Sequence, residues 1–198
     1  MIRWCLHATP CGVLRLGAFG GRLCLCDWAD VPARDFVVRR LERGLHARFA
    51  EWPNERLRPG TGLPGIPAEP ESNFPDNPDD ADRCVLDRAV RQLDEYFAAQ
   101  RRVFDVPLLT VGTPFQRAVW ELLTEIPFGG TRSYAWLAAQ LGHPRAVRAV
   151  AAANRANALS IFIPCHRVVG SDGSLTVYAG GLASNRRRLG LEHQQLLR

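Results

Sequence analysis

Between Pro53 and Asp82 the chain carries seven prolines, several glycines and a run of acids, and no hydrophobic period survives across that stretch. Proline fixes φ and donates no backbone hydrogen bond, so neither a helix interior nor a central strand can run through such a segment. It reads as a long loop or a disordered insertion, and no chemistry is assigned to it. Whatever folds must be assembled from the residues on either side. With 198 residues in all, the chain is long enough for one substantial core or two small ones. A hydrophobic share of 46% with 23% charged residues is that of a globular chain. No apolar run reaches the roughly 18 residues of a membrane span. Met1 to His7 lacks the apolar stretch of a secretory signal. A soluble, cytoplasmic protein without membrane association is expected.

The residues before the proline-rich stretch start as strands. Gly12-Val13-Leu14-Arg15-Leu16-Gly17 alternates, Gly20-Gly21 supplies a turn, and Leu23-Cys24-Leu25-Cys26 follows. Asp35 to Phe49 has helical spacing, with Phe36, Val37, Leu41 and Leu45 approximating one face. After the stretch, a helix is predicted from about Cys84 to Ala99, with Leu86, Ala89, Val90, Leu93 and Phe97 on one side. A second unit begins near residue 108, dividing the chain into 1–108 and 109–198. Thr113-Pro114 opens a helix with a capping residue followed by proline at the first position, and Phe115, Val119, Leu122 and Leu123 form its stripe. Phe128-Gly129-Gly130 marks a turn. Two short helical segments, Tyr134–Leu141 and Arg145–Arg155, are broken by Gly142-His143-Pro144, which is a helix-turn-helix pattern. The second carries Arg145, Arg148 and Arg155 among alanines, small enough to let a helix approach a groove closely. The fold class is α+β: a small N-terminal antiparallel sheet with helices, then a mainly helical C-terminal unit.

There is no lysine, so all 25 basic residues are arginine. Residues 109–198 hold ten of them against Glu121, Glu125, Asp172 and Glu192, a net of +6, while residues 1–108 come to −1. A basic module beside a neutral one suggests an anionic partner, nucleic acid first; the alternative is a surface solubilised by arginine. The six cysteines, Cys5, Cys11, Cys24, Cys26, Cys84 and Cys165, read as reduced thiols. Cys24 and Cys26 form a Cys-x-Cys pair whose spacing fits no standard structural zinc pattern, and small buried side chains in a β-hairpin are the simpler reading.

The chemistry concentrates in Ile161-Phe162-Ile163-Pro164-Cys165-His166-Arg167-Val168-Val169-Gly170. An apolar approach leads to a cysteine followed directly by two basic residues, and nearby positive charge favours the nucleophilic thiolate. Pro164-Cys165-His166-Arg167-Val168 resembles the acceptor motif of the O6-alkylguanine-DNA alkyltransferases (methylated-DNA–protein-cysteine methyltransferases). Thr113-Pro114-Phe115-Gln116-Arg117-Ala118-Val119-Trp120 resembles the opening of their C-terminal domain. Thr131-Arg132-Ser133-Tyr134 with Leu137-Ala138 resembles the start of their helix-turn-helix. Arg148-Ala149-Val150, Asn157, Tyr178-Ala179-Gly180-Gly181 and Glu192 fall at further family positions. The resemblance covers 108–198 in order and is weaker before it, where the Thr9-Pro10-Cys11-Gly12 turn and the helix before Phe104 fit.

What the resemblance implies is a ribonuclease-H-like N-terminal domain, a winged helix-turn-helix, and single-turnover DNA repair. The alkyl group of an O6-alkylguanine in double-stranded DNA would pass irreversibly to Cys165 after base flipping, with no cofactor and no metal. His166 would take the cysteine's proton through a water, and Glu192 would orient the imidazole. Tyr134 would press on the rotated phosphate and donate to guanine N3; on spacing alone it is equally a buried helix-start tyrosine. Arg148 would fill the vacated stack, with a plain phosphate contact as the alternative, and Ala149 and Arg155 would lie at the DNA. Backbone groups of Cys165 and Val168 and the Tyr178–Ala179 loop would line the guanine pocket with Asn157, whose amide is better suited to bracing the loop before Ile161. Two departures stand out. Val177 occupies a position usually glycine or asparagine, where a β-branched residue resists positive φ. Arg186-Arg187-Arg188 replaces a site that is often apolar. The rival readings are an alkylated-base recognition protein, a methylation-sensing regulator and a cysteine hydrolase. Cys165, the missing activator domain and the adjacency of Cys165 and His166 speak against them in turn.

Overall fold

In the computed structural model, which describes residues 1–29, 31, 34–51, 78–174, 189, 190 and 192, the chain opens on a β-meander. Strands β1 (Ile2–Thr9), β2 (Gly12–Ala18) and β3 (Leu23–Trp28) pair antiparallel. The start of β2 alternates, with Leu14 and Leu16 buried and Val13 exposed, whereas β3 is buried along its whole length. The first turn is closed by Thr9, whose hydroxyl donates to Gly12 O at 2.7 Å and accepts from Cys11 N at 3.2 Å. Gly20 and Gly21 make the second turn at φ +58° and +70°, a left-handed path that glycine takes without cost.

Helix α1 spans Asp35–Leu45 and stops short of the Phe49 expected from its spacing. His46 turns left-handed at φ 49°, and Phe49–Glu51 leaves as strand β4, which pairs parallel to β1 through Ile2↔Phe49. The sheet is therefore mixed, in the order β3-β2-β1-β4. Periodicity could not separate the two because Phe49 falls on both a helical and a strand pattern.

Helix α2 runs Pro78–Phe97, so residues 78–82, expected to be the end of the loop, belong to a helix. Proline is tolerated at a helix's first position, where the N–H would have no acceptor, and acids suit the positive end of the dipole. Asp82 is buried and accepts from Gly21 N at 2.7 Å, joining the helix to the β2–β3 turn. The rest of the expected loop, residues 53–77, lies outside the described residues.

Helix α3 (Pro114–Thr124) carries a complete capping box: Thr113 Oγ1 accepts from Gln116 N, and Gln116 Oε1 accepts from Thr113 N. Strand β5 (Arg132–Ser133) leads into α4 (Tyr134–Gln140), capped by Ser133. Gly142, left-handed at φ 73°, turns the chain toward α5 (Val147–Arg155), which begins two residues later than its spacing suggests. A short 3-10 turn at Cys165–Arg167 and strand β6 (Val168–Val169) follow, β6 pairing parallel to β5.

One hydrophobic cluster runs from Leu14 and Leu16 in the sheet through Leu93 and Tyr96 of α2 to Trp120, Leu137, Val150 and Val168. A second, with Ile2, Leu25, Val37 and Leu41, lies under α1. Cys24 and Cys26 are fully buried, and the Cys24 thiol donates to Gly17 O at 3.4 Å. Among the described residues no helix is long and apolar enough to cross a membrane.

The C-terminal end of α5 is held from several directions. A helix ends with carbonyls that lack intrahelical donors. The Arg34 guanidinium donates to the carbonyls of Arg155 and Asn157, and Arg40 donates to that of Ala156 at 2.6 Å. Trp120 Nε1 donates to Ala153 O at 2.8 Å. Arg34 is itself fixed by Asp27 at 2.6 Å in a buried ion pair.

Candidate active site

The approach to Cys165 is held by hydrogen bonds from within its own loop and from the sheet. Asn157 Oδ1 accepts from Leu159 N and its Nδ2 donates to Ile163 O, each at 2.9 Å. Cys26 N donates to Ala158 O at 2.8 Å and Ser160 N to Cys26 O at 2.7 Å, stitching the approach to β3. Ile161 sits at φ 76°, a conformation that a β-branched residue adopts only under constraint. Pro164 then delivers Cys165, His166 and Arg167 on one 3-10 turn, all three buried. The pairing Arg132↔Val168 and Ser133↔Val169 brings the start of α4, and so Tyr134, alongside this turn.

Glu192, fully buried, is the hub beside it. Its Oε1 accepts from His166 Nε2, Arg167 Nη2 and the Tyr96 hydroxyl, each at 2.9 Å. Its Oε2 accepts from Arg167 Nε and Gly129 N at 3.0 Å. Arg167 is completed by donation to Ile126 O at 2.7 Å. Burial alone would raise the Glu192 carboxyl. The hydrogen bonds and charges of His166 and Arg167 outweigh it and hold the group well below the usual carboxylate range. An ionised carboxylate only accepts, so His166 carries its proton on Nε2, which leaves Nδ1 as the basic nitrogen of the neutral ring.

A cleft of about 460 Å³ opens along α5, lined by Tyr134, Val147, Arg148, Ala151, Ala152, Arg155, Gly170 and Ser171. Arg148, Ala149 and Arg155 are exposed, and Tyr134 is nearly buried. Cys165 does not line the cleft among the described residues but is joined to it through Asn154. The Asn154 amide donates to the Cys165 carbonyl at 3.3 Å and to the Tyr134 hydroxyl at 3.4 Å. Asn157 lies apart from the cleft and braces the approach; Val168 is buried at the end of the turn. Tyr178, Ala179, Val177 and Arg186 to Arg188 lie outside the described residues.

The structure therefore brings Cys165, His166 and Glu192 together and sets Tyr134, Arg148 and Arg155 around one cleft. Sequence reasoning missed Asn154, Tyr96, Gly129 and the bidentate role of Arg167. Arg167 stood within the acceptor motif, and its guanidinium is the side chain best shaped to fork onto a carboxylate.

The family model for the 6-O-methylguanine DNA methyltransferase DNA-binding domain matches residues 114–194. A constitutive methylated-DNA–protein-cysteine methyltransferase of Bacillus subtilis is 56% identical over 95 residues, 48% of this chain and 58% of that protein's length. A methylated-DNA–protein-cysteine methyltransferase of Methanosarcina barkeri is 51% identical over 108 residues, 54% of this chain and 68% of its own. The crystal structure of Mycobacterium tuberculosis OGT in complex with DNA superposes with a TM-score of 0.71 at 32% identity, covering 98% of this chain and 94% of that one.

Proposed function

The chain belongs to the methylated-DNA–protein-cysteine methyltransferase family, and from that membership we propose that it repairs DNA by moving an alkyl group from guanine O6 to Cys165. The observation that carries the reading is the placement of Cys165 and His166 on one buried turn, with the His166 Nε2–H held by Glu192. His166 Nδ1 takes the thiol proton through a water. The thiolate then attacks the alkyl carbon, a sulfur–carbon bond forms, and the carbon–O6 bond breaks with its electron pair passing to the guanine. The departing base takes up one proton in place of the alkyl group, assisted at N3 by the Tyr134 hydroxyl. Glu192 keeps the imidazole oriented and balances the imidazolium. A thioether is a stable product, so each molecule acts once.

The partner is double-stranded DNA, which meets the cleft along α5 while its damaged nucleotide is flipped toward Cys165. Arg148 occupies the stack it leaves, and Ala149 and Arg155 approach the backbone. The exposure of all three residues on one helix supports that assignment. Asn157 acts by bracing the approach, and the carbonyls of Cys165 and Val168 accept from the guanine amine, with Tyr178 and Ala179 completing the pocket. The division into 1–108 and 109–198 belongs to the same reading, supported by a sheet confined to the first part and a family match beginning at residue 114. A cytoplasmic location is supported by six cysteines carried as thiols, as a reducing compartment maintains them.

The test is intact-protein and peptide mass spectrometry after incubation with duplex DNA containing O6-methylguanine. One methyl on the Cys165 peptide, saturating at one per molecule and absent from Cys165→Ala that still binds the duplex, is expected. Lesion binding without any adduct would instead make the protein a recognition factor.

A further inference from the structure

Three donors share Glu192 Oε1, and one of them comes from outside the Pro-Cys-His-Arg turn. Tyr96 lies on α2, packed against the sheet, 96 residues before the carboxylate it reaches. Its side chain is fully buried, with its ring against Phe97, Phe104 and Phe128 at centroid distances of 5.2, 5.5 and 6.2 Å. A phenylalanine would supply the same ring contacts. Burying the hydroxyl carries a desolvation cost that only a hydrogen bond offsets. Here that bond ends on the oxygen that also faces His166.

We propose that Tyr96 is a positioning residue of alkyl transfer, which locks the Glu192 carboxylate against His166 and limits how much negative charge it offers the imidazole. The inference rests on the transfer reading given above. Tyr96 pins Oε1 from α2, while the Gly129 amide pins Oε2 from the turn after α3, so the carboxylate cannot rotate about its last bond without losing one of them. Among the described residues the charged groups facing it are His166 and Arg167 from the acceptor turn. The exposed Arg102 lies over the Phe128 ring nearby. Arg167 and Tyr96 both draw on Oε1, so the imidazolium competes with two other donors for the same oxygen. The consequence is chemical. Were Glu192 less satisfied, it would hold the imidazolium more firmly, and His166 would stay protonated at pH values where it must be free to accept the thiol proton.

Tyr96→Phe deletes that donor and keeps the ring. Single-turnover transfer from an O6-methylguanine duplex to Cys165 is followed by mass spectrometry between about pH 5 and 9 at saturating DNA. With the hydroxyl gone, the acid limb of the rate profile is expected about 0.5–1 unit higher in pH, so the rate on that limb falls about three- to tenfold while the plateau changes less. Site-specific 3-fluorotyrosine at position 96, a stronger donor of nearly the same shape, is expected to move the limb the other way. This second variant keeps the test decisive if Tyr96→Phe folds poorly. Profiles that superimpose on the wild type, or uniform slowing at every pH, would leave Tyr96 a packing residue and overturn the proposal. A wild-type protein that forms no adduct at all overturns the transfer reading and this inference with it. A reactive wild type with unmoved variant profiles overturns this inference alone.

Discussion

Six thiols in one chain raise the question of why the acceptor should be Cys165, and residue environments give part of the answer. Burial, with Asp87 beside it, pushes the Cys5 thiol up to about 12, and burial with Asp82 does the same for Cys24. At pH 8 about one such group in ten thousand is ionised, so neither can act as a nucleophile in the folded protein. Iodoacetamide at pH 8 is therefore expected to modify the exposed Cys84 rapidly and to leave Cys5 and Cys24 untouched until denaturant is added. Native-state labelling of Cys24 at the rate of Cys84, read by peptide mass spectrometry, would contradict this. Glu192 gives a second prediction. Its folded-state pKa is depressed, so its stabilising contribution is fully present above the unfolded value of about 4.3 and is lost as pH falls toward the folded one. Urea unfolding midpoints should drop steeply below about pH 4.3 in the wild type and less steeply in Glu192→Gln. Parallel curves would remove Glu192 from the acid response. At this scale residue types alone made only the contiguous part legible, from Pro164 to Val168, while Glu192, Tyr134, Arg148 and Arg155 were reached through the family resemblance. Tyr96 and Gly129 reach Glu192 across 96 and 63 residues, and no spacing rule spans such distances.

Elements were legible where one period dominated and a cap punctuated it. The Thr113-Pro114 start and the break at Gly142 are cases where local chemistry alone decides, and the structure shows the capping box and the left-handed glycine there. Strand β4 was not legible, because a three-residue strand exists only through its parallel partner β1. The same holds for the clamp on α5, whose parts come from residues 27, 34, 40 and 120. That clamp has a measurable weight. Burial pushes the Asp27 carboxyl upward against the opposing pull of Arg34, so the carboxylate depends on its partner. Arg34→Ala strands a buried charge and frees two carbonyls at the end of α5, and should destabilise the fold by about 3–5 kcal/mol in chemical denaturation. Asp27→Asn added to that variant removes the stranded charge and should recover part of the loss. Two losses that simply add would show that Asp27 and Arg34 are not coupled. Hydrogen exchange offers the local counterpart: amides of Ala153 to Asn157 should exchange faster in Arg34→Ala than those of α3.

The charge of the whole molecule is lopsided, and its consequences differ from residue to residue along α5. Residues 109–198 carry the net positive charge, with Arg148 and Arg155 exposed on the helix that borders the cleft. A protein that neutralises phosphates releases counterions, so log Kobs for duplex binding should fall linearly with log salt concentration. Each arginine that only contacts a phosphate contributes about one unit to that slope. Arg155→Ala should therefore flatten the salt dependence by about 1 and weaken all duplexes alike, damaged or not. Arg148 is assigned a different task, filling the stack behind a flipped base. Its cost should appear where there is a stack to fill. Arg148→Ala is expected to slow transfer from an O6-alkylguanine in duplex DNA by a factor of about 10–100, the order of a few kcal/mol needed to unstack a base without a substitute. The same variant should react almost normally with the free alkylguanine base, which has no stack to leave. Measured side by side, the two substrates separate the roles. Equal slowing on both would place Arg148 in the chemistry or the fold, and a salt slope reduced by a full unit with duplex transfer unchanged would make it one more phosphate contact. Unequal slowing with little change in slope is the outcome that requires base flipping on this helix.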